Sequence, residues 1–147
     1  MAEEAEILGI VVARNNVECL QPLYDAWRRG AYDEGLDVLD AEIEWRGAAE
    51  IPGHEGPIYG RAAAARFLAE WRETWESYSV EVERFIELGD RVLVLVRECG
   101  VGRGSGVSLE SEFAQLWTMR GGRAVRMEEW RTWEDALQAT GANERDS

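Results

Sequence analysis

Few residues in this chain could carry conventional covalent or metal chemistry. The single histidine, His54, lies in "WRGAAEIPGHEGPIYGRAAAARF" (residues 45–67) beside Glu55, whose charge would favour the imidazolium if the two side chains were close. One histidine excludes a histidine pair and a multi-histidine metal site, and no Asp/Glu spacing marks a carboxylate-only one. A Ser-His-Asp triad would need His54, yet no G-x-S-x-G elbow accompanies it. All 16 basic residues are arginine, so Schiff-base chemistry and the lysine of a phosphate-binding loop are absent. Cys19 and Cys99 lie far apart without C-x-x-C spacing and read as two buried thiols in a reduced cytosol. "GVGRGSGVS" lacks both the G-x-G-x-x-G spacing and the following helix that a dinucleotide site needs, so it reads as a hairpin loop.

Charge narrows the partners. A formal net charge of −13 over 147 residues repels phosphate backbones and anionic membrane surfaces, so neither nucleic acid nor membrane is expected. The apolar stretch near the N-terminus follows glutamates rather than basic residues and reads as neither a signal peptide nor a membrane span, which points to a cytoplasmic protein. The length suits one domain with its own core: an N-terminal extension (1–14), a domain (15–141) and a polar tail (142–147).

The elements that would position chemistry follow from periodicity. "NNVECLQPLYDAWRRG" places Val17, Leu20, Leu23, Tyr24 and Trp27 on one helical face, with Asn15 or Asn16 as cap and Gly30 as stop. Pro22 implies either a kink or a start near Gln21. A short second helix is expected in "YDEGLDVLD", and a strand in "AEIEWRG". "GRAAAARFLAEWRETWES" carries a stripe of Ala64, Phe67, Leu68, Trp71 and Trp75. The period then changes to two. Tyr78, Val80, Val82 and Ile86 share one side of "YSVEVERFIEL", and "RVLVLVREC", apolar at consecutive positions, should be covered on both faces. A hairpin turning at Gly121 and Gly122 follows, then a last short helix capped by Thr132. Helices grouped before a meander argue α+β rather than a doubly wound sheet.

Five stretches, "LYDAWRRGAYDEGLDVLDAEIEW", "IYGRAAAARFL", "GDRVLVLVR", "FAQLWTMRGGRAVRMEEW" and "WEDALQATG", resemble the nuclear-transport-factor-2-like superfamily and, within it, the SnoaL-like branch. The resemblance implies a cone-shaped, curved antiparallel sheet whose concave side is closed by three N-terminal helices. It also implies a pocket inside the cone and a homodimer through the convex face. By that comparison Phe113, Gln115 and Trp117 point inward on one strand and Met127, Glu129 and Arg131 on the next. Ala114, Leu116 and Trp130 form an apolar convex set that would suit the dimer.

Glu129 resembles in position an acid of the Asp-Arg-Asp group of limonene-type epoxide hydrolases, which makes it the catalytic candidate, as general acid or base. The second acid of that group has no match, and Arg131 either pairs with Glu129 or turns to solvent. The ketosteroid isomerase base falls where this chain has Trp45, whose indole takes up no proton. Tyr24, near that family's first-helix tyrosine, reads as core. Trp27, Trp45, Trp71 and Trp117 fall on elements that face the cone, whereas Trp75 and Trp133 read as core. Tyr59 and Phe67 complete the pocket set. His54, on the turn-rich lip of the mouth, is either a lid residue that touches a ligand or a solvated loop residue. Indole faces suit a flat hydrophobic small molecule. Two functions are therefore expected: binding of such a molecule without a cofactor, or cofactor-independent acid/base catalysis on a polyketide-like or terpenoid-like ring compound, with no metal in either.

Overall fold

The computed structural model describes residues 15–47 and 56–143. Helix α1 (Asn16–Arg28) begins at a capping box in which the Asn15 side chain accepts from the Glu18 amide at 2.8 Å and the Glu18 carboxylate accepts from the Asn15 amide at 3.1 Å. Such a cap contributes about 1 kcal/mol. It sets the start at Asn16, and the helix runs through Pro22 rather than beginning near Gln21. The expected second helix is only a 3₁₀ turn (Leu36–Val38) that leads into strand β1 (Leu39–Arg46). A two-residue strand β2 (Ile58–Tyr59), unforeseen in the sequence, precedes α2 (Arg61–Glu73). The Gly60 amide donates to the Ile43 carbonyl at 2.8 Å and the Arg61 guanidinium to that of Leu39 at 3.2 Å, so the "YGR" stretch ties the start of α2 to β1.

Strands β3 (Trp75–Leu88), β4 (Arg91–Gly102), β5 (Ser108–Arg120) and β6 (Arg123–Trp130) form the expected meander, and α3 (Trp133–Thr140) closes the described chain. The sheet order is β2-β1-β6-β5-β4-β3. It is a curved α+β architecture, with two corrections to the expected cone. The sheet is mixed, because β1 runs parallel to β6. Only two α-helices precede the meander, and the third is C-terminal.

Helix α2 also stops earlier than its apolar stripe suggested. Glu73 is its last residue, and Trp75 opens β3. The Arg72 and Arg103 guanidiniums both donate to the Trp75 carbonyl, at 2.9 and 3.0 Å, which anchors this corner to the β4–β5 turn.

β4 decides how the molecule is layered. Val92, Val94 and Val96 pack into the concave core with α1 and α2, while Leu93 and Leu95 join a second core on the other face; all five are fully buried. The consecutive apolar run is covered on both sides, as its pattern required. Ile86 departs from the expected alternation. The pairing passes from Val82↔Val96 to Arg84↔Leu95, and this bulge sends Phe85 to the concave core and Ile86 to the convex one.

The convex core is closed by α3. Ala136 is buried against Leu93, Leu95, Ala114 and Leu116, with Trp130, Trp133 and Leu137 packed around them. The Trp133 indole donates to the carbonyls of Val96 and Phe113 at 3.2 and 3.0 Å, and its backbone amide donates to the Glu112 carboxylate at 2.9 Å. Ala114 and Leu116 are therefore buried within one chain and Trp130 is partly so, which corrects their reading as an exposed dimer face. Both thiols are free, but they depart from expectation in burial: Cys19 is half-buried and Cys99 exposed.

Candidate functional site

A cavity of about 350 Å³ opens between the concave sheet face and the two N-terminal helices. Trp27 of α1, Trp45 of β1, and Phe67 and Trp71 of α2 contribute apolar wall, as do Trp75, Tyr78 and Val80 of β3 and Phe113 of β5. The polar lining comes mainly from Glu98, Gln115, Glu129 and Arg131. Strand register explains this grouping. Gln115 pairs with Glu129 across β5 and β6, and Trp117 pairs with Met127, so all four side chains share the concave side.

Gln115 is the single buried polar or charged side chain among the described residues, at 3% exposure, and its whole amide is engaged. The Trp117 indole donates to the Tyr24 hydroxyl at 2.8 Å, that hydroxyl donates to Gln115 Oε1 at 2.5 Å, and Gln115 Nε2 donates to Glu129 Oε2 at 2.9 Å. Every donor in this chain of bonds points toward the carboxylate. Burial holds the Tyr24 phenol well above its ordinary value; the Trp117 hydrogen bond opposes the shift and the Glu129 charge adds to it. Tyr24 therefore keeps the proton with which it donates. Because Tyr24 takes the carbonyl of Gln115, the NH₂ end must face Glu129, and a carboxylate oxygen is the acceptor suited to it.

A second polar cluster lies farther along the wall. The Tyr78 hydroxyl donates to Glu98, whose carboxyl is raised above its ordinary 4.5. Burial causes the rise, while the Tyr78 hydrogen bond and the Arg131 charge oppose it. Trp75 and Tyr78 stack at 5.3 Å, and Trp71 meets Tyr78 edge-on at 5.8 Å. The rings lie against Gly100 of β4, where a Cβ would come within 3.0 Å of Tyr78 and 3.1 Å of Trp75. Among the described residues, no three His, Cys, Asp or Glu side chains group as a metal site.

The model of the SnoaL-like domain matches residues 20–127. The chain belongs to the SnoaL-like domain family. Among solved structures, it is similar to an NTF2-like protein from Burkholderia thailandensis at 23% identity and a TM-score of 0.73, covering 87% of this chain and 98% of the other. It is similar to TerC co-crystallised with polyporic acid at 25% identity and a TM-score of 0.69, with 86% and 98% covered. A putative SnoaL-like polyketide cyclase from Jannaschia matches at 21% identity and a TM-score of 0.69, with 87% and 92% covered. None of the curated proteins matches.

Within this SnoaL-like domain Trp27, Trp45, Phe67, Trp71, Phe113, Gln115, Glu129 and Arg131 line one cavity. Three other candidates do not line it. Trp117 and Met127 face the right way but are fully buried beneath the lining, because α1 packs down onto them. Tyr59 is 65% exposed on the short strand β2, at the sheet edge. His54 lies outside the described residues. Trp75, read as core, lines the cavity; Trp130, read as outward, shares the convex face with its strand partner Ala114 and only borders the cavity. Arg131 is exposed beside the cavity and tempers Glu98 by its charge.

Tyr32, Tyr78 and Glu98 were missed. The alternation of Val92, Val94 and Val96, carried one step further, puts Glu98 on the same face; that signal was in the sequence. Glu98 adds a second carboxylate to the cavity lining beside Glu129.

Proposed function

We propose that this SnoaL-like chain binds a hydrophobic, ring-containing small molecule in the cone cavity. The observation that carries this reading is one cavity with aromatic walls on α1, α2, β1 and β3 and a polar end at Gln115 and Glu129. Sites of this kind take apolar ring systems and orient them with a few fixed polar groups. The relative at 25% identity that was co-crystallised with polyporic acid supports a small-molecule role. The test is tryptophan fluorescence titrated with polyketide-like and terpenoid ring compounds. Saturable quenching at micromolar ligand supports the reading, and no response across the panel overturns it.

One observation favours a second, enzymatic reading. The Trp117–Tyr24–Gln115 chain ends on a carboxylate at the cavity wall, an arrangement that can hold Glu129 as a proton acceptor toward a bound ring compound. In that case Glu129 performs cofactor-independent acid/base chemistry and Gln115 orients it. Glu129→Gln, which keeps the shape of the side chain, should abolish turnover of any ligand converted by the parent while leaving its binding within a few-fold. Unchanged turnover would remove Glu129 from the mechanism.

A further inference from the structure

The aromatic wall holds three polar atoms that meet no hydrogen-bond partner among the described residues: Trp27 Nε1, Tyr32 Oη and Trp75 Nε1. Trp27 and Tyr32 are 2% and 7% exposed, and all three residues line the cavity. They belong to one continuous surface. Trp27 stacks on Tyr32 at 6.0 Å, Tyr32 meets Tyr78 at 6.2 Å, and Tyr78 stacks on Trp75 at 5.3 Å. A buried donor without an acceptor is costly, and native interiors rarely tolerate one without a reason. Three along one wall of one cavity require a common one.

The chemistry of these atoms restricts what would satisfy them. An indole N–H donates and never accepts. The Tyr32 phenol is raised above its ordinary value, chiefly by burial, and so keeps its proton and donates too. The missing partners are acceptors. The cavity already holds Glu98 and Glu129, with Arg131 the one basic residue in its lining, and the whole chain carries −13. Such a field disfavours a carboxylate guest and favours a neutral oxygen.

We propose that Trp27, Tyr32 and Trp75 form a donor subsite for carbonyl or other neutral acceptor oxygens on the bound ring compound. This subsite is separate from the Gln115–Glu129 end and rests on the small-molecule reading above. The three atoms are themselves buried, so the subsite works by small rotations of the rings toward a guest; Trp75, only half-buried, moves most.

The probe pair is 1-tetralone and tetralin, which share a ring skeleton and differ by one carbonyl. The subsite predicts that tetralone binds about ten-fold more tightly, the scale set by supplying an acceptor to a buried donor. In protein labelled with ¹⁵N-tryptophan, the indole N–H signal of Trp75, Trp27 or both moves downfield with tetralone and not with tetralin; Trp→Phe variants assign the signals. Tyr32→Phe and Trp75→Phe each shrink the preference, read as the ratio of tetralone to tetralin affinity within the same variant so that any loss of apolar wall cancels, and the milder Tyr32→Phe keeps the test open if a tryptophan variant misfolds. Equal affinity for the two probes overturns the subsite and leaves the hydrophobic-pocket reading standing. A tetralone preference that leaves the indole signals unmoved and survives Tyr32→Phe also overturns it. Binding of neither probe overturns both readings.

Discussion

Gln115 gives its amide N–H to Glu129 at 2.9 Å from a position 3% exposed, so the orientation of a cavity carboxylate is set by a side chain with almost no access to solvent. The amide has no freedom to flip, because its carbonyl receives the Tyr24 hydroxyl, and Trp117 in turn holds that hydroxyl. Helix α1 thereby reaches across the core to fix a group on β6. The polarity of the site is a consequence of how α1 packs on the sheet, and its energetics can be measured without any ligand.

Tyr24→Phe and Tyr32→Phe remove the same atom from two buried phenols, with opposite consequences. Loss of the Tyr24 hydroxyl strands the Gln115 carbonyl and the Trp117 indole, both buried, and should cost about 2 kcal/mol or more. The Tyr32 hydroxyl is buried with no partner among the described residues, so its loss removes an unmet donor and should raise stability by about 1 kcal/mol. Urea unfolding of the two variants checks this. Equal costs would mean that the Tyr24 chain contributes nothing beyond packing.

Glu98 makes stability depend on pH in a defined sense. Its folded-state value is raised above 4.5, chiefly by burial. Between 4.5 and the raised value the native state binds more protons than the unfolded chain, so this group's contribution falls as pH rises through that window. Glu98→Gln removes the ionisation and keeps an oxygen to accept from Tyr78. The variant should gain stability relative to the parent as pH climbs from 4.5, reach a plateau above the folded value, and lose the advantage below 4.5. Denaturant midpoints across pH read the difference; a gap that narrows with rising pH would contradict the burial argument.

Much of the site was legible because the chain is locally consistent. The two-residue period on β5 and β6 groups Gln115 with Phe113 and Trp117 and Glu129 with Met127 and Arg131, the helical period groups Trp27 with the apolar face of α1, and the resemblance to the nuclear-transport-factor-2-like superfamily is what turns these sets toward one cavity. What stayed hidden depends on information that periodicity does not carry. Alternation gives the face of Trp117 and Met127 but not their depth, which is set by how far α1 descends onto the sheet. The bulge at Val82–Arg84 reverses parity within a strand, so Ile86 left the set to which its spacing assigned it. Tyr32 sits in the irregular stretch after α1, where no period exists to read. Trp75 opens a strand rather than continuing α2, and its carbonyl is held by Arg103 from the β4–β5 turn, a tertiary contact that periodicity does not register.

Gly100 is required by space rather than by backbone conformation. A Cβ there would stand 2.8 Å from the Ser77 carbonyl oxygen, 3.0 Å from Tyr78 and 3.1 Å from Trp75. Relieving the Ser77 contact requires a shift of the β3–β4 ladder, and the Tyr78 and Trp75 rings must give way as well. Gly100→Ala should cost about 1–3 kcal/mol. It should also change the near-ultraviolet circular dichroism of the stacked Trp75–Tyr78 pair and weaken binding of ring compounds. An unchanged spectrum would show that the wall is looser than its packing implies.

Leu93, Leu95, Ala114 and Leu116 would be a broad apolar surface without α3, and the helix is fastened chiefly through Trp133. That ring also lies under the Arg97 guanidinium, 4.8 Å from its centroid. Trp133→Ala removes the indole's two hydrogen bonds to sheet carbonyls along with its packing, and should cost about 2–4 kcal/mol. Loosening α3 also uncovers the leucines, and an exposed apolar patch of that kind drives association. Light scattering coupled to size exclusion should therefore show the variant self-associating more strongly than the parent at equal concentration. If the parent is itself a dimer and Trp133→Ala dissociates it, then α3 builds an interface between copies rather than covering one, and the reading of this face as self-contained fails.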